Sequence, residues 1–345
     1  MSQPITTGTV TVTTSDGMTV TIESSGAITV TPAPVTPPVT PPVTPPAPAA
    51  STTVFFDDFT GPPGSPPNSA TWNVISTTSG PQNPAAFGGG DQEQYLDNPA
   101  LIAQDGLTNL IFTVGQQGTL GAQAGYWPAP RVDTFHSPGQ FHDGAFASPG
   151  SAPKLAVLPG QSCEFSARVS PLAGLWPSLW FECPGNSGGT YPSDYYEFDL
   201  MEAGLGGAPA STRCTAWGPG ATAQQNLSAR TGGSGPAFNL GDGKYHTYRL
   251  DYLPDRLAGY IDGVLQYEIT QAEVNAAYGP QAGLNAQFGG QEWPYDQPHE
   301  GLCIVMNCAV NGKVVGTTPA ASSLPHQIMA VDWVRVYSPA GPYVA

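Results

Sequence analysis

The sequence predicts an all-β protein, and three observations carry that expectation. Its 345 residues include 42 Gly and 38 Pro, a composition suited to many short strands joined by tight turns. Helical patterning is scarce: one short helix is predicted over residues 271–278, where Ala, Glu, Val and Asn follow Thr270 as N-cap. Polar and apolar residues alternate with period two near the start, in Thr9-Val10-Thr11-Val12 and Thr19-Val20-Thr21-Ile22.

The first of these strands is followed by Ser15-Asp16-Gly17 and the second by Ser24-Ser25-Gly26, both hairpin-like turns, with Ala27-Ile28-Thr29-Val30 as a third strand. Thirty residues cannot bury a core alone. A meander over 1–31 is therefore expected to dock, onto copies of itself or onto a larger assembly. Val-Thr-Pro-Pro then repeats three times from Val35 to Pro46, and the 32–52 stretch reads as a polyproline II spacer of about 60 Å over about twenty residues. Residues 53–340 are long enough for one large β domain.

With 10 Lys and Arg against 26 Asp and Glu the formal net charge is −16, and no basic cluster is present. Nucleic acid and anionic membrane surfaces are poor partners for such a chain, whereas a neutral polymer suits it. No apolar run is long enough to span a bilayer, and Met1-Ser2-Gln3-Pro4-Ile5-Thr6 has neither the positive start nor the apolar centre of a secretory signal. An anchor, a stiff arm and a large domain without such a signal suggest display on a particle released by lysis. The other reading is a Thr-rich tail on a protein exported by another route.

The most informative residues are Glu197-Phe198-Asp199-Leu200-Met201-Glu202, directly after Tyr195 and Tyr196. On a regular strand Glu197 and Asp199 share a face and Glu202 points the other way. A β-bulge at Leu200-Met201 would return Glu202 to the carboxylate face and leave the apolar residues facing a core. Aligned like charges repel and raise one another's proton affinity, so chemistry is the expected reason for them. In retaining glycoside hydrolysis one carboxylate attacks the anomeric carbon and a second, protonated, serves the departing oxygen, the two being about 5–5.5 Å apart. Glu197 and Glu202, with Cα atoms roughly 13 Å apart at about 3.3 Å per residue, can lean together to meet this. Asp199 between them can hold Glu197 and help keep Glu202 protonated. The competing reading, a solvated acidic strand face, fits poorly in a chain with only 10% charged residues and apolar neighbours around the triplet.

This stretch resembles the active strand of glycoside hydrolase family 16, in the branch with the E-x-D-x-x-E signature. Gly174-Leu175-Trp176-Pro177-Ser178-Leu179-Trp180 resembles that family's G-L-W-P-x-x-W strand. Phe55-Phe56-Asp57-Asp58-Phe59 resembles its opening strand, and Val331-Asp332-Trp333-Val334-Arg335-Val336-Tyr337 its closing one. Gln92-Glu93-Gln94-Tyr95, Tyr245-His246-Thr247-Tyr248, Tyr260-Ile261-Asp262-Gly263 and Trp293-Pro294-Tyr295-Asp296-Gln297-Pro298 follow in the family's order. The resemblance covers about residues 53 to 338. It implies a jelly-roll β-sandwich of two antiparallel sheets whose concave face is a polysaccharide cleft. Glu197 would be the nucleophile, Asp199 its helper and Glu202 the general acid/base. Laminarin-type β-1,3-glucan is the implied substrate, with galactans as the competitor, and no cofactor is required.

Sugar faces pack on aromatic rings, so Trp176 and Trp180, four apart on one strand face, are the expected platforms. Core packing is the alternative for both. Arg131, in a segment similar to S-G-R-x-x-T, and Gln94 are expected near the non-reducing side of the cleft, with Trp127 and Trp293 on rim loops. Trp217 stands where the family commonly has His, which puts the leaving-group subsites in question. A Gly- and Pro-containing segment over 137–160 is expected to modify one cleft wall.

No nucleophilic triad is credible, since no Ser sits in a G-x-S-x-G elbow. His136 and His142 are expected to bond backbone rather than zinc. The resemblance also brings a structural calcium on the convex side, for which Asp57, Asp58 and Asp332 are candidates. Cys303 and Cys308 fall on opposite faces of one strand, and Cys163, Cys183 and Cys214 read as buried apolar side chains. Two further readings stay open: a non-catalytic glycan-binding jelly roll in a virion tail, and a transglycosylase.

Overall fold

The computed structural model of the chain describes residues 9–13, 19–23, 28–31, 51–77, 91–134, 153–182, 197–204, 212–218, 225–226, 239–270, 272, 301–310, 312 and 315–339. The Pro-rich repeats, nearly all of the expected 271–278 helix, most of the 137–160 segment, His136, His142 and Trp293 lie outside the described residues. The chain divides into two compact units, Met1–Val43 and Thr44–Ala345.

The first unit holds β1 (Thr9–Thr13), β2 (Thr19–Glu23) and β3 (Ile28–Thr31), in one antiparallel sheet of order β1-β2-β3. Its register sets Val12 opposite Val20 and Val20 opposite Val30, with Thr11, Thr21 and Thr29 aligned in the adjacent row. This is the expected meander, built from β-branched residues that suit a pleated surface.

The second unit is a jelly-roll β-sandwich. In chain order its strands are β4 (Ser51–Asp57), β5 (Asn73–Val74), β6 (Glu93–Tyr95), β7 (Ile102–Gln104), β8 (Leu110–Val114), β9 (Trp127–Ala129), β10 (Arg131–Asp133), β11 (Gln161–Val169) and β12 (Trp176–Glu182). They continue with β13 (Glu197–Ala203), β14 (Thr212–Gly218), β15 (Gln225–Asn226), β16 (His246–Leu253), β17 (Arg256–Ile261), β18 (Val264–Thr270), β19 (Cys303–Ala309) and β20 (His326–Pro339). One sheet has the order β15-β14-β13-β12-β19-β10-β5, the other β18-β17-β16-β11-β20-β8-β7, with β4 also paired to β20. A short parallel pair, β6 with β9, stands apart from both.

Strand alternation builds the core between the sheets. Leu179 and Phe181 of β12, Ile304, Met306 and Cys308 of β19, and Cys163, Phe165 and Ala167 of β11 all join one buried cluster. Burying each large apolar side chain stabilises the fold by about 1.5–3 kcal/mol. Phe165, Phe181, Phe198 and Tyr267 form a line of neighbouring rings, with centroids 5.8, 6.5 and 5.3 Å apart, so that strands of both sheets are locked to β13.

Trp127 is a correction to the sequence reading. It is a buried residue of β9 within the main core and not a rim-loop aromatic, because β9 is held on β6 with Glu93 opposite Trp127. Cys303 and Cys308 do fall on opposite faces of β19: Cys308 joins the core, while Cys303 packs with Val305 and Trp180.

Candidate active site

The seven-stranded sheet turns its other face away from the core, and β13 carries the acidic triplet there. Its register shifts between Asp199 and Glu202 against β14, and against β12 as Leu179 pairs with Met201 and Trp180 with Asp199. Leu200 is the extra residue. The bulge therefore lies where the spacing of the acids requires it. Phe198, Leu200, Met201 and Ala203 all enter the core cluster, which leaves Glu197, Asp199 and Glu202 for the opposite face. Asp199 and Glu202 are 4% and 6% exposed, and Glu197 is half-buried.

Register across the sheet lays the neighbours out in rows. One row runs Arg131, Asn307, Ser178, Glu202 and Arg213; the next runs Asp133, Val305, Trp180, Asp199 and Thr215; a third runs Cys303, Glu182, Glu197 and Trp217. Trp176 sits beyond the first row, opposite Ala309. Trp176 and Trp180 thus share the face of the acids, as their spacing implies.

Glu202 is held at both oxygens. Trp176 donates its indole N–H to Oε1 at 3.0 Å, and the Thr215 hydroxyl donates to Oε2 at 3.3 Å. Trp176 is 8% exposed and packs against Ala309 and Val315, so its polar edge serves the acid while its body fills a small apolar cluster. Trp180 is more open. Its indole N–H donates to Asn307 Oδ1 at 2.8 Å, and Asn307 in turn donates to the Tyr95 hydroxyl at 2.8 Å.

Two glycines keep the frame tight around β12 and β13. Gly174, at φ 90°, precedes β12, and a Cβ there would meet the Pro319 nitrogen at 2.2 Å. Gly204, at φ 85°, follows β13, where a Cβ would lie 2.6 Å from the Leu175 carbonyl oxygen.

Arg131 is 3% exposed. It extends from β10 across β19 to β12, donating from Nη2 to Glu182 Oε1 at 2.9 Å and from Nε to Asp133 Oδ2 at 3.3 Å. Its guanidinium carbon lies 5.1 Å from the centroid of the Trp180 ring. Burial raises the Glu182 carboxyl, with Glu197 and Asp133 adding to the rise, and the Arg131 guanidinium opposes it. Burial works against the Arg131 charge, but the carboxylates of Glu182 and Asp133 prevail and hold it above its ordinary value. Gln94 is also buried, at 3% exposure; its carboxamide donates to the Thr77 carbonyl and accepts from the Gln123 N–H. Of Trp217 only the backbone position, opposite Glu197, is described.

Ser178, Glu182, Thr215, Asn307 and Asp133 were not singled out by the sequence reading. Ser178 and Glu182 were within its reach, two residues either side of Trp180 and hence on the same face. The others come from strands remote in sequence. Asp57 accepts from the Phe59 N–H and the Trp72 indole, Asp58 accepts from Thr60 and Asp332 from Ser166. No cluster of three or more His, Cys, Asp or Glu suited to a metal occurs among the described residues.

Comparison with known proteins gives one family match and a set of shared folds. The family model described as Glycosyl hydrolases family 16 matches residues 158–302, the stretch that holds β12 and the bulged β13, and a curated relative extends the similarity. Glucan endo-1,3-beta-glucosidase A1 of Niallia circulans is 27% identical over 298 residues, 84% of this chain but 38% of that protein. Residues 158–302 thus match glycosyl hydrolase family 16. The chain spans well under half the length of that curated relative. Solved structures share the family fold: an endo-β-1,3-glucanase of Pyrococcus furiosus (TM-score 0.57, 22% identity, 84% of this chain and 94% of that one) and SCLam, described as a non-specific endo-β-1,3(4)-glucanase of the same family (TM-score 0.59, 20% identity, 85% and 92%). A third, from Mycobacterium tuberculosis, is described as an immunostimulatory antigen and pseudo β-1,3-glucanase (TM-score 0.54, 22% identity, 83% and 98%). The shared fold alone therefore does not decide activity.

Proposed function

We propose that this chain is a retaining endo-glycoside hydrolase acting on a β-linked polysaccharide, of the β-1,3-glucan type or a related galactan. The observation that carries the proposal is the bulge of β13, which turns Leu200 and Met201 inward and leaves both glutamates on the sheet face opposite the core. Glu197 attacks the anomeric carbon, and the bond to the leaving oxygen breaks as Glu202 gives that oxygen its proton. Glu202, now ionised, takes a proton from water, whose oxygen displaces Glu197 from the sugar and restores the starting state. Asp199, between them on the same strand face, orients Glu197 and favours the protonated form of Glu202.

Substrate choice rests on what similar proteins are called, β-1,3-glucanases among them, and on a net charge of −16 that suits a neutral polymer. The experiment is a polysaccharide panel (laminarin, mixed-linkage glucan, agarose, carrageenan) with products sized, for the native chain and for Glu197→Gln and Glu202→Gln. The native chain should release reducing sugar from laminarin and each variant should lose that release by about a thousandfold or more, with polymer binding kept. A native chain that binds glucan but cuts nothing would make it a non-catalytic glycan-binding jelly roll, a reading kept in view by the pseudo-glucanase relative. Products longer than the substrate would make it a transglycosylase.

For the first unit we propose attachment to a larger assembly, with display as a tail-associated depolymerase on a phage particle. Its support is a three-stranded sheet too small to bury a core by itself. Particles that carry no label for this chain would remove that proposal.

A further inference from the structure

Glu182 stands out among the groups that the proposed reaction leaves unused. It lies directly opposite Glu197 in the β12–β13 register, on the same sheet face as the acidic triplet. Its side chain is 2% exposed, and a carboxylate so deeply buried beside another acid needs a compensating partner. That partner is Arg131, which reaches across β19 to bond it at 2.9 Å and also engages Asp133. In the same stroke the guanidinium is laid 5.1 Å from the Trp180 ring centroid. The indole is thus fixed from two directions, by Arg131 at the ring and by Asn307 at its N–H, over a floor of Cys303 and Val305.

We infer that Glu182 is a positioning residue for the substrate: it anchors Arg131 against Trp180 and so sets the indole as a stacking wall for the sugar bound beside Glu197. This rests on the hydrolase reading for the location of the sugar. Arg131, expected from the sequence to meet sugar directly, acts here through the ring it steadies. Of the two acids that Arg131 bonds, only Asp133, two residues along the same strand, would remain without Glu182, and the bond that draws the guanidinium across β19 toward the indole would be lost.

The test uses the full chain with a β-1,3-linked glucose hexamer as probe. Binding is measured by calorimetry in a Glu197→Gln background, and turnover in the otherwise native chain. Glu182→Gln should weaken hexamer binding and raise KM by about tenfold while kcat falls less than about threefold. Arg131→Met should do the same, and the double variant should be no worse than the Arg131→Met single, because the two act as a unit. Glu182→Asp should recover part of the loss. In the free protein the indole N–H resonance of Trp180, identified by its disappearance in Trp180→Phe, should move in Glu182→Gln.

A merely structural ion pair predicts a lower Tm with hexamer affinity, KM and the Trp180 resonance all unmoved, and that result overturns the inference. Additive losses in the double variant overturn it as well. Should Glu182→Gln fail to fold, Arg131→Met and Glu182→Asp read the same quantities. If the native chain cuts no glucan yet Glu182→Gln weakens hexamer binding, the hydrolase reading fails and this inference stands. If the Glu197→Gln chain binds no hexamer at all, both fall.

Discussion

Glu202 depends on two neighbours that hold its oxygens, Trp176 and Thr215. A hydrogen bond to a charged group contributes about 1.5–3 kcal/mol, so Trp176→Phe, which keeps the ring and deletes the donor, should lower kcat/KM on laminarin by about ten- to a hundredfold. Thr215→Val should cost less, its contact being longer at 3.3 Å. Initial rates across laminarin concentrations check both, and a Trp176→Phe chain with unchanged kcat/KM would show that the indole N–H does no more than satisfy a buried oxygen. At this scale the sequence was legible where neighbours lie on one strand: the i, i+4 spacing puts Trp176 and Trp180 on the face of the acids. It was silent on what those side chains do. Trp180 meets Asn307 from 127 residues away and Arg131 meets Glu182 from 51, and no local pattern encodes such a pairing.

Strand β13 is defined by its extra residue. Against β12 and β14 the two sides of the bulge are each in regular register, offset by one. Deleting Leu200 should therefore join them into one regular strand in which Glu202 still faces away from the core and Ala203 still faces it. That variant should fold with reduced Tm, since a buried leucine costs about 2–5 kcal/mol to remove, and should keep measurable release of reducing sugar. Leu200→Asp, which leaves the register alone but buries an unpaired charge, should not fold. Circular dichroism melts with product assays on the two variants check this, and total inactivity of a folded deletion variant would count against the register argument. The bulge could be read from residues alone because the three acidic and three apolar positions from Glu197 to Glu202 cannot all reach their proper sides without it. Trp127 could not: an aromatic among Gly, Pro and Ala looks like a loop residue, and only the parallel pairing of β6 with β9 makes it core.

The whole molecule carries its acidity unevenly, and its stability should follow pH accordingly. Glu93, fully buried and accepting from the Val310 N–H, is pushed from 4.5 up to about 8 by burial, with Asp91 adding to the rise. A carboxyl raised in the folded chain keeps its proton where the unfolded chain has released it. Folding is therefore favoured most below the ordinary value and loses that advantage as pH climbs from there to about 8. The expected result is a Tm about 5 °C or more lower at pH 8.5 than at pH 5, with a shallower decline in Glu93→Gln. Scanning calorimetry across that interval checks it, and a Tm that rises toward pH 8.5 would contradict the assignment. The sandwich architecture at this scale was legible from ordered motifs spread along the chain, while the order of its strands was not, because neighbours in the sheet are distant in sequence. Strand β20 makes the point most sharply: β4, β8 and β11 all pair with it. During synthesis those three segments must wait, each lacking its β20 partner, until some 270 further residues beyond β4 have left the ribosome, so the nascent chain carries open strand edges until β20 emerges.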